Sequence, residues 1–398
     1  MNRRALLTGL AELPSAALAE TDPELYWRRI REEQFSLPHW RVFLNNGSLG
    51  ITPKPVVAAM KAFIDRSAAL DIEEYPRWGY ERMDEHRKAL ADFVGCNPDE
   101  LALTHNATEA ISLVAQGLDL KAGDEVLMTD QEHPSGRGAW SVRAARHGIV
   151  VRQVPIPLPP KSPEQLAELM TSAIGPRTRV LCFSGITTTT GLIMPVREIC
   201  RAARAKGVLT LVDGAHMHGQ IPFRIDDMDC DFMAASPHKW LFAPAGCGFL
   251  YIRREHQDRV FPSVTTDGWV NSSLAAARFM LVGTNNRAIF EGMMAGLRFA
   301  GDIGPERIMK RIHQLARMVR DRAAKEPSLR ILTPDDDRLF GCMVSLQLQP
   351  EHAKRFAALC KERRMWTLAG ERFRVSTHIH TRPGDIDALF QAIADSKA

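Results

Sequence analysis

Residues 234–240 read Ala-Ala-Ser-Pro-His-Lys-Trp, and the Gly-rich run Ala-Gly-Cys-Gly-Phe-Leu-Tyr follows at residues 245–251. The apolar residues around them predict strands over 230–234 and 248–253, with Lys239 in the polar turn between. Burial lowers the pKa of an amine because a low-dielectric interior disfavours the charged form. A neutral amine can form an imine with an aldehyde cofactor, which makes Lys239 a candidate catalytic residue. A lone lysine after a strand is more often a surface residue, so its neighbours decide.

A candidate partner ends the run Val-Leu-Thr-Leu-Val-Asp over residues 208–213. Such a run is typical of a buried parallel strand, and it places Asp213 at the carboxyl edge of the sheet. In pyridoxal phosphate enzymes an acidic residue pairs with the pyridinium nitrogen and keeps the ring an electron sink. Lys239 follows Asp213 by 26 residues, which leaves room for one connection and one strand. Both side chains could then reach one ring, although Asp213 alone could equally cap a helix.

Together, the segments VDGAH (212–216), DCDFMAASPHKW (229–240) and GCGFLYIRR (246–254) resemble the class V aminotransferase family. That family includes cysteine desulfurases, isopenicillin N epimerase-like proteins, and several transaminases and lyases. The resemblance runs from about Phe43 to the C-terminus and is nearest to the epimerase-like branch. It implies the fold type I of pyridoxal phosphate enzymes, an α/β fold. A large domain with a mostly parallel seven-stranded sheet between helices would carry a small C-terminal α/β domain.

Length and composition agree with a two-domain enzyme. The chain has 398 residues, of which 45% are hydrophobic and 25% charged, and a net charge of +4. This charge is too small and too evenly spread to indicate a nucleic-acid partner, and no apolar run is long enough for a membrane span. The seven cysteines are scattered, which favours neither disulfides nor a metal site.

The expected domain boundaries follow from the resemblance and from the change of pattern near residue 286. They are an N-terminal segment joining the small domain (20–50), a large pyridoxal phosphate-binding domain (51–285), and a linker helix with the small domain (286–398). Within the large domain, a long amphipathic helical region is expected to run through residues 80–83 and to end near Gly95.

The first nineteen residues resemble a twin-arginine export signal. Arg3 and Arg4 precede a weakly apolar stretch that ends in an A-x-A cleavage pattern at residues 17–19. Glu12 and Pro14 interrupt the apolar stretch, so an amphipathic helix of the enzyme is the alternative. We therefore expect a periplasmic protein, with a cytoplasmic location as the alternative.

A phosphate-binding turn is predicted after the strand at residues 101–105. There the chain enters a helix that continues to Gly117, and a helix N-terminus offers free N–H groups and a positive dipole end. The family uses this turn for the cofactor phosphate, which implies Ala107 and Thr108. Ser236 and His238 resemble the family's phosphate-binding Ser-x-His-Lys. An ordinary helix cap is the alternative.

Three further cofactor contacts are implied by the resemblance alone. His133 follows Glu132 after a predicted strand and corresponds to the histidine that stacks on the pyridine ring of the cofactor in relatives. Thr188 aligns with an asparagine that contacts the phenolic oxygen of the cofactor in relatives. Threonine differs from that pattern, and its hydroxyl reaches less far than an amide. His216 occupies a position where relatives carry Gln or His near the same oxygen.

The resemblance also implies substrate contacts and a second subunit. Arg374, in an R-x-S segment, would bind the substrate α-carboxylate, for which guanidinium geometry is well suited; Arg372 competes for this role. Asn45 and Gly47, in a Gly-rich turn, would contact the substrate. Thr284 would reach the phosphate of a neighbouring subunit, which implies a homodimer with shared active sites.

The sequence leaves the reaction open. We expect a small amino substrate, an amino acid or a peptide-linked one, with Lys239 transferring a proton at Cα in aminotransferase or epimerase chemistry. Cysteine desulfurase or β-lyase chemistry is the alternative. A desulfurase needs a cysteine in a mobile loop, whereas Cys360 lies in a helical pattern. A non-catalytic module of the same fold would have lost Lys239 or Asp213, and a cofactor-free Rossmann-type binder would need a Gly-x-Gly-x-x-Gly turn, which is not found.

Overall fold

The computed structural model describes residues 11–72 and 77–397. Their α-helices and strands are numbered in chain order. The helices are α1 (Ala16–Thr21), α2 (Pro23–Gln34), α3 (Lys54–Ala68), α4 (Asp84–Val94), α5 (Ala107–Gly117), α6 (Pro134–His147), α7 (Pro163–Ser172), α8 (Val196–Ala205), α9 (Ala288–Ile303), α10 (Pro305–Ala323), α11 (Pro350–Glu362) and α12 (Pro383–Asp395). The strands are β1 (Val42–Phe43), β2 (Leu101–Thr104), β3 (Glu125–Thr129), β4 (Val150–Val154), β5 (Thr178–Ser184), β6 (Leu209–Asp213), β7 (Phe232–Ala235), β8 (Gly248–Ile252), β9 (Leu329–Ile331), β10 (Met343–Leu348), β11 (Met365–Trp366) and β12 (Arg372–Ser376).

Seven strands form one large sheet in the order β2-β8-β7-β6-β5-β3-β4. The neighbours from β7 to β4 are parallel, and β8 runs antiparallel to both β2 and β7. Strands β5 to β8 are almost wholly buried, which explains their continuous apolar sequences. The predicted fold class, with its mostly parallel seven-stranded sheet and flanking helices, is confirmed.

The register of the central strands brings the functional positions together. Ser184 at the end of β5 pairs with Asp213 at the end of β6, and Asp213 pairs with Ala234 on β7. The carboxyl ends of neighbouring parallel strands lie at one edge of a sheet, where α/β proteins bind their ligands. The chain leaves β7 at this edge and reaches Lys239 four residues later.

The C-terminal part builds a smaller antiparallel sheet in the order β12-β10-β9, covered by α10, α11 and α12. It has its own buried cluster, which includes Phe356, Phe373 and Leu389. The N-terminal segment joins it, because β1 pairs in parallel with β11 and Asn45 bridges to Ser376. This bridge brings the Gly-rich turn after β1 next to β12.

The expected long helical region before Gly95 is wrong. The structure has two helices instead, α3 and α4, and the backbone between them turns at Gly79 (φ +97°) and Met83 (φ +48°). A Cβ at Gly79 would lie 1.4 Å from the carbonyl oxygen of Gly283, so only glycine permits this approach. The helical periodicity of the sequence on both sides of Gly79 predicts one continuous helix. The contact with Gly283, far away in the sequence, interrupts it.

Helix α6 was not anticipated, because Pro134, Gly136 and Gly138 indicate a turn. In the structure Pro134 occupies the first helical position, where its missing N–H costs nothing. Trp140 of this helix is fully buried, and such packing overrides the low helix propensity of glycine.

The twin-arginine pair at residues 3 and 4 lies outside the described residues. The predicted cleavage pattern at residues 17–19 falls in α1, where Leu18 and Ala19 pack against the main core. Within residues 11–72 and 77–397, no helix combines the length and apolarity that a membrane crossing requires.

Candidate active site

A cavity of about 340 Å³ lies at the carboxyl edge of the large sheet. It brings together ten of the predicted residues from six separate parts of the chain. These ten are Gly47, Ala107, Thr108, His133, Thr188, Asp213, His216, Ser236, His238 and Lys239. Asn45 and Arg374 lie behind its wall, and Thr284 lies outside it.

Lys239 sits in the turn between β7 and β8, with Nζ 3.0 Å from Nε2 of His216. Burial lowers the pKa of its amine to about 8; the charge of Asp213 opposes this shift and that of Arg374 adds to it. The backbone of Lys239 is fixed, since its carbonyl accepts a hydrogen bond of 2.7 Å from Asn46. Gly50 lies so close that a Cβ there would be 2.5 Å from the same carbonyl oxygen. The amine is thus mobile only through its own side-chain torsions.

Asp213 ends β6 with its side chain 8% exposed. Its Oδ1 accepts a hydrogen bond of 3.0 Å from the N–H of Ala215. Its Oδ2 has no hydrogen-bond partner within the part of the chain that the structure describes. One carboxylate oxygen is therefore free to accept a hydrogen bond from a protonated ring nitrogen in the cavity.

A second carboxylate, Glu132, lies behind Asp213 and was not anticipated as a site residue. It accepts hydrogen bonds from the hydroxyls of Thr129 and Ser184, the latter at 2.6 Å. Burial raises the pKa of Glu132 to about 7, and the charge of Asp213 adds to this effect. Its hydroxyl partners come from β3 and β5, so only the sheet order could reveal this arrangement.

His133 caps α6 and faces the cavity. Its Nδ1 accepts a hydrogen bond of 3.1 Å from the N–H of Ser135. Burial, and then the charge of Lys239, lower the pKa of His133. The imidazole is therefore neutral near pH 7 and offers an aromatic plane held by the start of the helix.

The turn before α5 forms an anion-binding corner. Asn106 caps the helix by accepting a hydrogen bond of 2.9 Å from the N–H of Glu109. The Oγ of Ser236 accepts one of 3.0 Å from the N–H of Ala107, which leaves the O–H of Ser236 free to donate. Thr108 adds a hydroxyl at the cavity surface. Hydroxyl donors at the positive end of a helix suit a phosphate.

His238 lines the same corner, and its Nδ1 lies 3.3 Å from the carbonyl oxygen of Cys247. Because a carbonyl only accepts, Nδ1 carries the proton of the neutral ring. Burial and the charge of Lys239 lower the pKa of His238 to about 4. Its Nε2 becomes a donor only when the ring is protonated, as a nearby anion would favour.

Arg374 is a buried cation with no carboxylate within 4 Å among the described residues; its side chain is 3% exposed. It donates to the carbonyl oxygen and hydroxyl of Thr188, the latter at 3.2 Å, and to Oδ1 of Asn45 at 2.8 Å. Burial lowers its pKa to about 10. Gly47 lies against it, and a Cβ there would be 3.0 Å from the guanidinium. An anion from the cavity would compensate this charge.

Arg374 and its competitor Arg372 are two residues apart and so lie on the same face of β12, but their burial differs. Arg374 is buried and donates to Thr188 and Asn45, whereas Arg372 is exposed. Thr188 lines the cavity, and its hydroxyl accepts from Arg374, so it connects the buried guanidinium to the cavity. Thr284 is exposed and does not line the cavity of its own chain. Its role at a neighbouring subunit stays a prediction.

The cavity also contains residues that the sequence did not single out: Ser48, Asn106, Ile111, Ser135, Ser184 and Ala215. Ser184 could have been found, because it ends a buried strand as Asp213 does. The other five required knowledge of how turns from distant segments meet.

The donor set fits pyridoxal phosphate. An amine of lowered pKa, a carboxylate with a free oxygen, a neutral imidazole and an anion-binding corner line one cavity. Lys239 would hold the aldehyde carbon, Asp213 the ring nitrogen, and Thr108 with Ser236 the phosphate. No part of this set requires a side chain from outside the described residues.

Comparison with known proteins agrees with the geometry. The family model described as aminotransferase class-V matches residues 42–382. Isopenicillin N epimerase of Streptomyces clavuligerus is 32% identical over 88% of this chain and 94% of its own. That of Amycolatopsis lactamdurans is 33% identical over 93% and 98%. A probable cysteine desulfurase of Pyrococcus abyssi is 26% identical over 83% of this chain and 84% of its own.

Among solved structures, a mutant of C-DES with glycine covalently linked to its PLP cofactor superposes with a TM-score of 0.80. It is 25% identical and covers 89% of this chain and 96% of its own. The cofactor predicted from the sequence is confirmed by this family. The family match over residues 42–382 covers most of the chain and includes every residue of the cavity, so the chain belongs to the class V aminotransferase family of pyridoxal phosphate enzymes.

Proposed function

We propose that the protein moves a proton at Cα of an amino acid or a peptide-linked amino acid, with epimerase-type chemistry. The observation that carries the proposal is the buried Arg374, which has no carboxylate partner among the described residues and donates to Thr188 in the wall of the cavity that holds Lys239. Two isopenicillin N epimerases at 32% and 33% identity support the epimerase type. Aminotransferase chemistry shares the first proton transfer and is the nearest alternative.

Each step of the proposed reaction falls to a residue of the cavity. Bound pyridoxal phosphate supplies an electron sink that acidifies the Cα–H bond of the substrate. Arg374 binds the substrate carboxylate and so orients the Cα–H bond. Lys239 takes the Cα proton through Nζ, and inversion then requires that a proton be delivered to the opposite face of Cα. Asp213 holds the proton on the ring nitrogen, and neutral His133 covers the ring.

The cysteines argue against a desulfurase. Within the described residues none of them lines the cavity. Cys360 is on α11, 3% exposed, and burial raises the pKa of its thiol to about 11. Cys342 lies near Arg374 but is fully buried, and burial raises its pKa well above that of a free thiol. Neither thiol is the accessible thiolate that sulfur transfer needs.

β-Elimination from the substrate needs no cysteine thiol on the enzyme, so the experiment must also be able to detect it. The experiment incubates the holoenzyme with L- and D-amino acids and with short peptides ending in a free amino acid, in deuterated water. Deuterium at Cα, chirality, keto acids, pyruvate and sulfide are measured. The proposal expects deuterium incorporation with loss of chirality and no stoichiometric keto acid.

The matched control is Lys239→Ala, which should bind the cofactor without exchanging the Cα proton. Retained chirality with keto-acid accumulation would show that the enzyme is an aminotransferase and not an epimerase. Pyruvate with sulfide would indicate elimination. No exchange with any substrate, in protein that has bound cofactor, would favour a non-catalytic module.

A further inference from the structure

Trp240 follows the catalytic lysine and points its indole N–H at the site. The ring is 1% exposed, and Nε1 donates to Nδ1 of His216 at 3.2 Å. An indole nitrogen is a donor only, so Nδ1 of His216 must carry the lone pair. The other nitrogen, Nε2, lies 3.0 Å from Nζ of Lys239.

The surroundings keep His216 neutral. It is 3% exposed, and the nearby charges of Lys239 and Arg374 disfavour a positive charge on its ring, as protonated His133 or His238 would. Burial, the largest cause, and these groups lower the pKa of His216 well below its ordinary value. A neutral ring with a bare Nδ1 has its proton on Nε2. That proton is directed at the lysine amine, which can accept it only when the amine is itself neutral.

We infer that Trp240 is a positioning residue that locks His216 in the Nε2–H tautomer and makes it a hydrogen-bond donor to Lys239 whenever that amine is neutral. The neutral amine is thereby stabilised in the absence of a bound cofactor. Locked in this way, His216 cannot act as a base, so a second proton acceptor in any epimerisation must be another group. Only this last consequence rests on the proposed function.

The small domain holds the indole in place. The ring of His378 stacks on Trp240 with centroids 5.8 Å apart and planes inclined by 14°. Nδ1 of His378 accepts from the N–H of Ile379 at 2.9 Å, so its Nε2–H faces the Trp240 carbonyl oxygen at 3.4 Å. The segment after β12, the strand that carries Arg374, therefore also fixes the residue that orients His216.

The test uses the apoprotein, so its outcome does not depend on the reaction. Trp240→Phe removes the N–H and keeps an aromatic ring. Trp78→Phe is the matched control, because Trp78 is equally buried and its indole N–H has no partner among the described residues. Histidine-selective ¹⁵N NMR reports the tautomer, with the His216 signal assigned by its loss in His216→Gln. We expect Nε2–H in the wild type and in Trp78→Phe, and a mixture in Trp240→Phe.

A second readout follows the amine itself. Acylation of Lys239, measured by peptide mass spectrometry at pH 7, should be about fivefold slower in Trp240→Phe, since losing one hydrogen bond to the neutral amine raises its pKa. Glutamine at position 216 can accept from Trp240 and donate to Lys239 without tautomers. In the His216→Gln background, Trp240→Phe should therefore leave the acylation rate within twofold.

Three outcomes would overturn the inference. One is a wild-type His216 that is an imidazolium or the Nδ1–H tautomer, which needs no variant to detect. Another is an unchanged acylation rate in folded Trp240→Phe protein. The third is an equal decrease in both backgrounds, which would mean that Trp240 acts through packing alone.

Discussion

Lys239 should react with aldehydes at a pH far below that of an ordinary lysine. Burial lowers its pKa from 10.5 to about 8. At pH 7 about a tenth of the Lys239 amines are then neutral, against about 0.03% of an unperturbed amine, a difference of about 300-fold. Because only the neutral amine attacks, the rate should rise about tenfold per pH unit up to pH 8 and then level off.

The assay mixes apoprotein with pyridoxal phosphate between pH 6 and 10, traps the product with borohydride, and quantifies each modified lysine by mass spectrometry. Lys88, whose side chain is 69% exposed, serves as the reference and cancels the titration of the reagent. The ratio of Lys239 to Lys88 modification should be largest, and nearly constant, between pH 6 and 7 and should fall above about pH 8. A ratio that stays constant up to pH 10 would refute a lowered pKa.

Two substitutions should shift the pKa of Lys239 in opposite directions. The charge of Asp213 raises the pKa of Lys239, so Asp213→Asn should move the profile to lower pH. The charge of Arg374 lowers it, so Arg374→Met should move the profile to higher pH. A small acylating reagent replaces the cofactor here, because Asp213→Asn also removes a cofactor contact. Shifts in the same direction would contradict the electrostatic account.

The remaining predictions concern substrate, stability, assembly and location. Arg374→Lys should reduce kcat/KM about 10- to 100-fold, because it loses charge-assisted hydrogen bonds; Arg372→Lys is the control and should have little effect. Lys239→Met should raise the unfolding free energy of the apoprotein by about 3 kcal/mol at pH 7 in urea titrations, since the folded state must keep a buried ammonium that the unfolded state exposes to water. This gain should vanish above pH 10.5, and a pH-independent gain would count against it. If the active sites are shared in a homodimer, Lys239→Ala and Thr284→Arg should each be inactive alone. A mixture of the two variants should recover activity, and the absence of recovery would exclude shared sites. Cell fractionation should find periplasmic protein lacking residues 1–19, whereas cytoplasmic protein with an intact N-terminus would exclude export.

Much of the fold was determined by the sequence locally. Strands β5 to β8 are buried on both faces, so their apolar runs identify them without knowledge of their neighbours. The ends of such strands must lie at one edge of a parallel sheet. Asp213 and Lys239 could therefore be placed in one site from their positions along the chain.

Tertiary structure decided what depends on approach between distant segments. Asn45 and Arg374 are 329 residues apart, yet they share a hydrogen bond of 2.8 Å. The break at Gly79 is imposed by Gly283, and no local pattern encodes it. Hydrogen-bond roles belong to this class as well: which nitrogen of His216 holds the proton depends on where the Trp240 indole points. Sequence periodicity specifies which face of an element is buried, whereas the direction of a single N–H is set by the packing of the whole chain.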